Sequence, residues 1–161
     1  MAEIGLPVVP VFGAWASCPL NGTKCGQDAR APNMNMFIEN LKYDSNGLVC
    51  GVFQDFQTGE VLTIAWLNKE AVQLMWDTKR GTVYRRSKGK VMMKGEVSGN
   101  VQIVHEILVD CDRDALVIKV EQIGGAACHK GYRSCFFELV KDDGELEAQG
   151  EPLFDPQKVY G

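Results

Sequence analysis

The sequence predicts a β-rich α+β fold, a small single domain of antiparallel strands around one main helix. Strand-like apolar runs recur at 48–54, 61–67, 82–87, 91–94, 101–109, 115–122 and 136–140, several of them joined by short turn signals. Only the stretch after Asn68 sustains a helical period. With 161 residues, 45% of them apolar and 24% charged, the chain can fill one core but not two.

In chain order, residues 1–33 carry four prolines and four glycines without periodicity and are expected to form an irregular arm. A short helical turn is expected at 37–41. Asp44-Ser45-Asn46-Gly47 then marks a turn, and Gln57-Thr58-Gly59 links the first two strands. Asn68 caps the helix, and Val72, Met75, Trp76 and Lys79 fall on one face at i, i+3, i+4 and i+7. Lys79 and Arg80 suit the negative end of the helix dipole, and Gly81 is expected to stop it. Lys88-Gly89-Lys90 turns a hairpin. The domain is expected over 34–143, and the acidic tail at 144–161 receives no element.

The net charge of -4 argues against nucleic-acid binding, which needs a basic face. No run reaches 18 apolar residues, so no membrane helix is expected. The apolar stretch 8–16 lacks a positive lead, so a cytoplasmic location is expected over a secretory one. Six cysteines in such a chain are then buried thiols, metal ligands or nucleophiles, not disulfides. Cys50, inside a strand, is expected in the core, and Cys18 and Cys25 lie in the arm without a nearby second pair.

Two ligand sets stand out. Asp110, Asp112 and Asp114 alternate, which in an extended chain puts three carboxylates on one face roughly 6–7 Å apart. Such hard donors suit Mg²⁺, Mn²⁺ or Ca²⁺; a solvated acidic turn is the plainer alternative. An EF-hand is excluded, since its sixth loop position is Ala115 rather than glycine and a strand follows. Cys111, Cys128 and Cys135 are soft donors, the preference of Zn²⁺. Three ligands and an open position describe a catalytic site; a fourth ligand from Cys18, Cys25 or His105 would make a structural zinc-binding, protein-interaction module instead. Three thiolates leave the site formally at -1, so a neighbouring base is useful, and His129 follows Cys128. His105, in mid-strand without a motif, is expected to be structural.

Between residues 78 and 95 lie seven cations and no acid, against 10 cations and 21 acids elsewhere. Arg86, Ser87, Lys88 and Lys94, with the small residues Ser98 and Gly99, are candidates to hold a phosphorylated small molecule.

From about 41 to 140 the chain resembles the phosphoribosyl-AMP cyclohydrolases of histidine biosynthesis. The resemblance is carried by Ala65-Trp66-Leu67-Asn68-Lys69-Glu70-Ala71, Arg86-Ser87-Lys88, Lys94-Gly95-Glu96-x-Ser98-Gly99, Asp110-Cys111-Asp112-x-Asp114 and Ala127-Cys128-His129-x-Gly131-x-x-Ser134-Cys135-Phe136. Met92 departs from the family, where an aromatic residue is common. The resemblance implies hydrolytic opening of the adenine ring of phosphoribosyl-AMP between N1 and C6. It implies one Zn²⁺ per subunit on Cys111, Cys128 and Cys135, and Mg²⁺ near Asp110, Asp112 and Asp114. It also implies an intertwined homodimer in which Cys111 of one subunit meets Cys128 and Cys135 of the other. No second, fused enzyme domain is expected.

Overall fold

The computed structural model describes residues 36–160; Cys18 and Cys25 lie outside them. A short helix α1 (Met36–Glu39) precedes strands β1 (Leu48–Asp55) and β2 (Val61–Asn68). Helix α2 (Lys69–Thr78) leads into the hairpin of β3 (Thr82–Arg85) and β4 (Lys90–Met93), with a 3-10 turn at Arg86–Lys88. Then come β5 (Gln102–Val109), β6 (Ala115–Gln122), β7 (Glu138–Val140), β8 (Leu146–Ala148) and helix α3 (Pro156–Tyr160). Among the described residues no helix is long and apolar enough to cross a membrane.

The strand-rich fold with few helices agrees with the sequence. The pairings β1–β2, β3–β4, β5–β6 and β7–β8 are antiparallel. One pairing departs from the expected pattern. In the four-stranded sheet, ordered β2-β1-β6-β5, β1 runs parallel to β6. No local signal announces a parallel pair, because its members need not be adjacent in sequence.

Alternation sorts the sheet into two faces. Val49 and Phe53 of β1, Leu116, Ile118 and Val120 of β6, and Leu67 of β2 point into the core with Ala71, Val72 and Met75 of α2, and Leu62 joins them at the register shift opposite Phe53 and Gln54. Phe53 is fully buried, which contributes roughly 1.5–3 kcal/mol relative to exposure. The other face carries Ile64, Val52, Val117 and Leu108, which register across all four strands in one row. Trp66, Cys50 and Ala115 form the next row. Ile64 and Leu108 are about half exposed, at 49% and 48%. Cys50 belongs to this open face and not to the core, because the strand alternates and its neighbours Val49 and Gly51 take the inward positions.

Asn68 caps α2 as expected, its Oδ1 accepting the Ala71 N–H at 2.9 Å. The helix ends earlier than the glycine signal predicts. Lys79 itself takes the left-handed conformation (φ 54°), and its N–H reaches the Met75 carbonyl at 2.9 Å. Its Nζ sits 3.7 Å from the Trp76 ring centre, a cation–π contact that accompanies the strained backbone. Gly81 serves close packing instead: a Cβ there would stand 2.8 Å from the Gln102 Cβ.

The segment after residue 143 is not featureless. β8 pairs with β7, and α3 follows an Asp155 cap, whose Oδ1 accepts the Gln157 N–H at 3.0 Å. Asp followed by Pro at the first helical position is a helix-start signal that the sequence reading passed over.

Candidate metal centre and active-site cleft

The carboxylate set is the turn between β5 and β6. It is tighter than an extended chain allows: ligand oxygens of Asp110, Asp112 and Asp114 lie within 4.8 Å of one another. Arg113 adopts φ 70°, and the Asp110 carboxylate folds over the turn to accept the N–H groups of Asp114 (3.0 Å) and Ala115 (3.2 Å). Desolvation opposes ionisation of Asp110, yet the Ala115 N–H, the Asp112 and Asp114 side chains and the Arg113 N–H hold its carboxyl below the ordinary value. The Asp112 charge, then the bond to Asp110, pushes Asp114 up. Three crowded, exposed carboxylates match the oxygen donors a hard divalent cation takes.

The thiol set is built differently. Cys128 and Cys135 end a loop that folds on itself through Ala127 N–H to Arg133 O (3.0 Å) and Cys128 N–H to Tyr132 O (3.1 Å). The Cys135 N–H donates to Leu62 O of β2 at 2.7 Å, and Ser134 Oγ to Val61 O at 2.7 Å. Arg133 ties the loop to the β1–β2 turn, its Nη2 2.7 Å from Asp55 Oδ2 and its Nε 2.8 Å from Glu60 Oε2. These bonds bring the two thiols close enough that Cys135 raises the cost of ionising Cys128. Burial pushes the Cys128 thiol up, against the Lys130 N–H that donates to its sulfur at 3.4 Å. Lys94 lies behind the pair, its Nζ 3.5 Å from Ala127 O. Burial lowers Lys94, while the Cys135 and Cys128 sulfurs favour its charge.

Cys111 stands apart, exposed on the carboxylate turn. Among the described residues, the three aspartates are the only cluster of three metal-capable side chains. The soft donors Cys128 and Cys135 fit a thiophilic ion, but the described chain brings only two of the three cysteines together.

A cleft of about 540 Å³ opens beside the thiols, within the ordinary range of small-molecule pockets. His129, Cys135, Lys94 and Ser98 line it, as do Arg85, Asn100 and the β4 methionines Met92 and Met93. The cationic candidates divide. Arg86 and Ser87 face a second, more open cleft with Ile64 and Trp66, where the Arg86 guanidinium lies 5.1 Å from the Trp66 ring centre. Lys88 closes the exposed 3-10 turn, and Gly99 turns the chain at φ 75° before β5. His105 is remote in kind: it stacks on Phe56 at 4.3 Å, pairs with Glu121 at 3.5 Å, and lines a separate polar recess with Arg133.

Sequence reasoning missed Asp55, Glu60 and Arg133. Only a fold can pair Arg133 with turn residues that lie more than seventy positions away. It also missed Pro156 and Tyr160, which line the main cleft.

A small strand-rich domain whose Cys135 thiol, His129 imidazole and half-buried Lys94 line one cleft has the layout of an enzyme that works on a small molecule. The family model for phosphoribosyl-AMP cyclohydrolase matches residues 63–137, which include both ligand sets. Proteins named phosphoribosyl-AMP cyclohydrolase are 47% identical in Prosthecochloris aestuarii and 48% identical in Chlorobaculum tepidum, each over 125 residues, 78% of this chain and 90% of theirs. One from Desulfotalea psychrophila is 50% identical over 122 residues, 76% of this chain and 95% of its own. The chain belongs to the phosphoribosyl-AMP cyclohydrolase family.

Proposed function

We propose that this protein opens the adenine ring of phosphoribosyl-AMP by hydrolysis, as a zinc-dependent step of histidine biosynthesis in the cytoplasm. The observation that carries the proposal is the shared cleft, where His129, Cys135, Lys94 and Ser98 line one space of about 540 Å³. The names of the relatives supply the substrate.

Cys111, Cys128 and Cys135 would hold Zn²⁺, which supplies Lewis acidity and a more acidic water when bound. His129, exposed on the cleft wall beside Cys128, takes the proton of the attacking water. The water oxygen bonds to C6, the N1–C6 bond breaks, and N1 receives a proton. The product carries a carboxamide at the former C6 and a formamidine at N1. Lys94 would offset the negative charge of the ligating thiolates, and Ser98 in the cleft lining, with the neighbouring Gly99 backbone, would take a phosphate. Asp110, Asp112 and Asp114 would hold Mg²⁺.

The proposal includes a homodimer. The apolar row Ile64, Val52, Val117 and Leu108 is an open sheet face of the kind that subunits bury, and the turn carrying Cys111 follows directly from its edge strand β5. A second copy seated on this face would supply the missing cysteine.

The test is a spectroscopic turnover assay with phosphoribosyl-AMP, run before and after chelation and after return of Zn²⁺ and Mg²⁺. The wild-type protein is expected to lose activity on chelation and regain it. His129→Ala is expected to keep its zinc and lose roughly 10²–10⁴-fold in turnover. A metal-replete wild type without turnover overturns the proposal, and a fully active His129→Ala overturns the assignment of the base.

A further inference from the structure

The segment after β8 seats itself on the thiol loop. The Leu153 N–H donates to Gly131 O at 2.9 Å, between the two cysteines. Gly131 has φ +89°, and a Cβ there would stand 2.5 Å from Phe154 O and 3.2 Å from the Pro152 Cβ. A Cβ on Gly125 would likewise meet Leu153 Cδ1 at 3.1 Å. The glycines of the loop are therefore the floor on which the 152–154 stretch lies, and only a chain without side chains there admits it so closely.

This seat fixes α3. Asp155 caps it, and the Phe154 and Tyr160 rings pack 6.3 Å apart at 55°. Pro156 and Tyr160 thereby become part of the cleft that His129 and Cys135 line. Tyr160 is the only benzenoid ring among the cleft-lining described residues, and it stays 47% exposed although it lines a cavity. A partly bare aromatic face in a cleft for a purine nucleotide offers the base a stacking surface, while the charged residues serve the phosphates.

Resting on the function proposed above, we infer that Tyr160 is a substrate-binding residue that stacks on the purine base of the substrate, positioned by the 152–154 stretch on the thiol loop. Base–aromatic stacking is sequence-tolerant and strong enough that its loss weakens binding by roughly five- to a hundredfold.

The experiment compares full-length wild type, Tyr160→Phe and Tyr160→Ala, all zinc-replete. Calorimetry measures the affinities of two probes, AMP and ribose 5-phosphate, and turnover of phosphoribosyl-AMP is followed in parallel. Tyr160→Ala is expected to weaken AMP about tenfold and to raise KM similarly, with ribose 5-phosphate, zinc content and kcat unchanged. Tyr160→Phe is expected to stay within about twofold of wild type in all of these. An unchanged AMP affinity in Tyr160→Ala overturns the inference. Equal weakening of both probes also overturns it, because the tail would then order the cleft without touching the base. A wild type that binds AMP through Tyr160 but shows no turnover refutes the proposed activity and leaves the base contact standing.

Discussion

The two ligand sets sit in one small domain and are built by opposite means. The carboxylate set is mostly local: five consecutive residues fold over the Asp110 side chain, with one outside tie from the Lys42 N–H to Arg113 O at 2.7 Å. The thiol set is assembled at long range. Cys135 hangs from β2, Arg133 from the β1–β2 turn, and Cys111 lies on another turn altogether. A local set depends little on the rest of the fold, whereas a long-range set weakens with each support it loses.

The largest expected effect tests which set does the chemistry. Cys128→Ser should drop turnover to background and remove zinc, measured by elemental analysis, while Mg²⁺ binding persists. If Cys128→Ser keeps full turnover, the thiol set is not catalytic.

Next comes the role of a second copy. Ile64→Arg places a charge in the open apolar row. Sedimentation should find a monomer that has lost zinc and activity but still binds Mg²⁺ at the self-contained turn. A monomeric variant that keeps its zinc would show that one chain completes the thiol set alone.

A smaller effect is expected at the anchor. Arg133→Ala leaves the buried Asp55 carboxylate without its guanidinium and should cost about 1–3 kcal/mol in denaturant unfolding, with weaker zinc retention against a chelator. The same pair predicts a pH response. Burial acts to raise Asp55, but the Thr58 N–H and hydroxyl, the Gln57 N–H and Arg133 hold it below its ordinary value. Its contribution is thus present above the unfolded value, about 3.9, and disappears as pH falls through the lower folded value. Asp55→Asn should flatten that part of the acid unfolding curve. An unchanged curve would assign the acid sensitivity to other carboxylates.

The smallest effect is a change of sign at the carboxylate turn. Asp112→Asn removes the charge that pushes Asp114 up. Without Mg²⁺ the variant should melt at the same or a slightly higher temperature than wild type, and with Mg²⁺ it should gain less. A larger Mg²⁺ gain in the variant would remove Asp112 from the ligand set.

Much of this was legible in the residues, and the exceptions share a cause. The Asn68 cap and the 115–122 strand follow from neighbours in the chain and appear where the sequence puts them, while the hairpin forms but turns earlier, over a 3-10 turn at Arg86–Lys88 and Gly89. The helix stop moved from Gly81 to Lys79 because Gly81 is needed for close approach to Gln102, a contact made across the fold. Cys50 moved from core to open face because strand alternation, not hydrophobicity, decides the side. The aspartates came closer than an extended chain allows because Arg113 bends left-handed beneath them.

By itself the sequence determined the donor types, the short-range elements and the family. Those depend on side-chain chemistry and on neighbours a few residues apart. Only the tertiary structure decided the parallel β1–β6 pairing, the Arg133 anchor to Asp55 and Glu60, the meeting of Cys128 with Cys135, and the return of Tyr160 to their cleft. Each joins parts of the chain whose closeness depends on how the intervening chain packs, and no local pattern of residues encodes that distance.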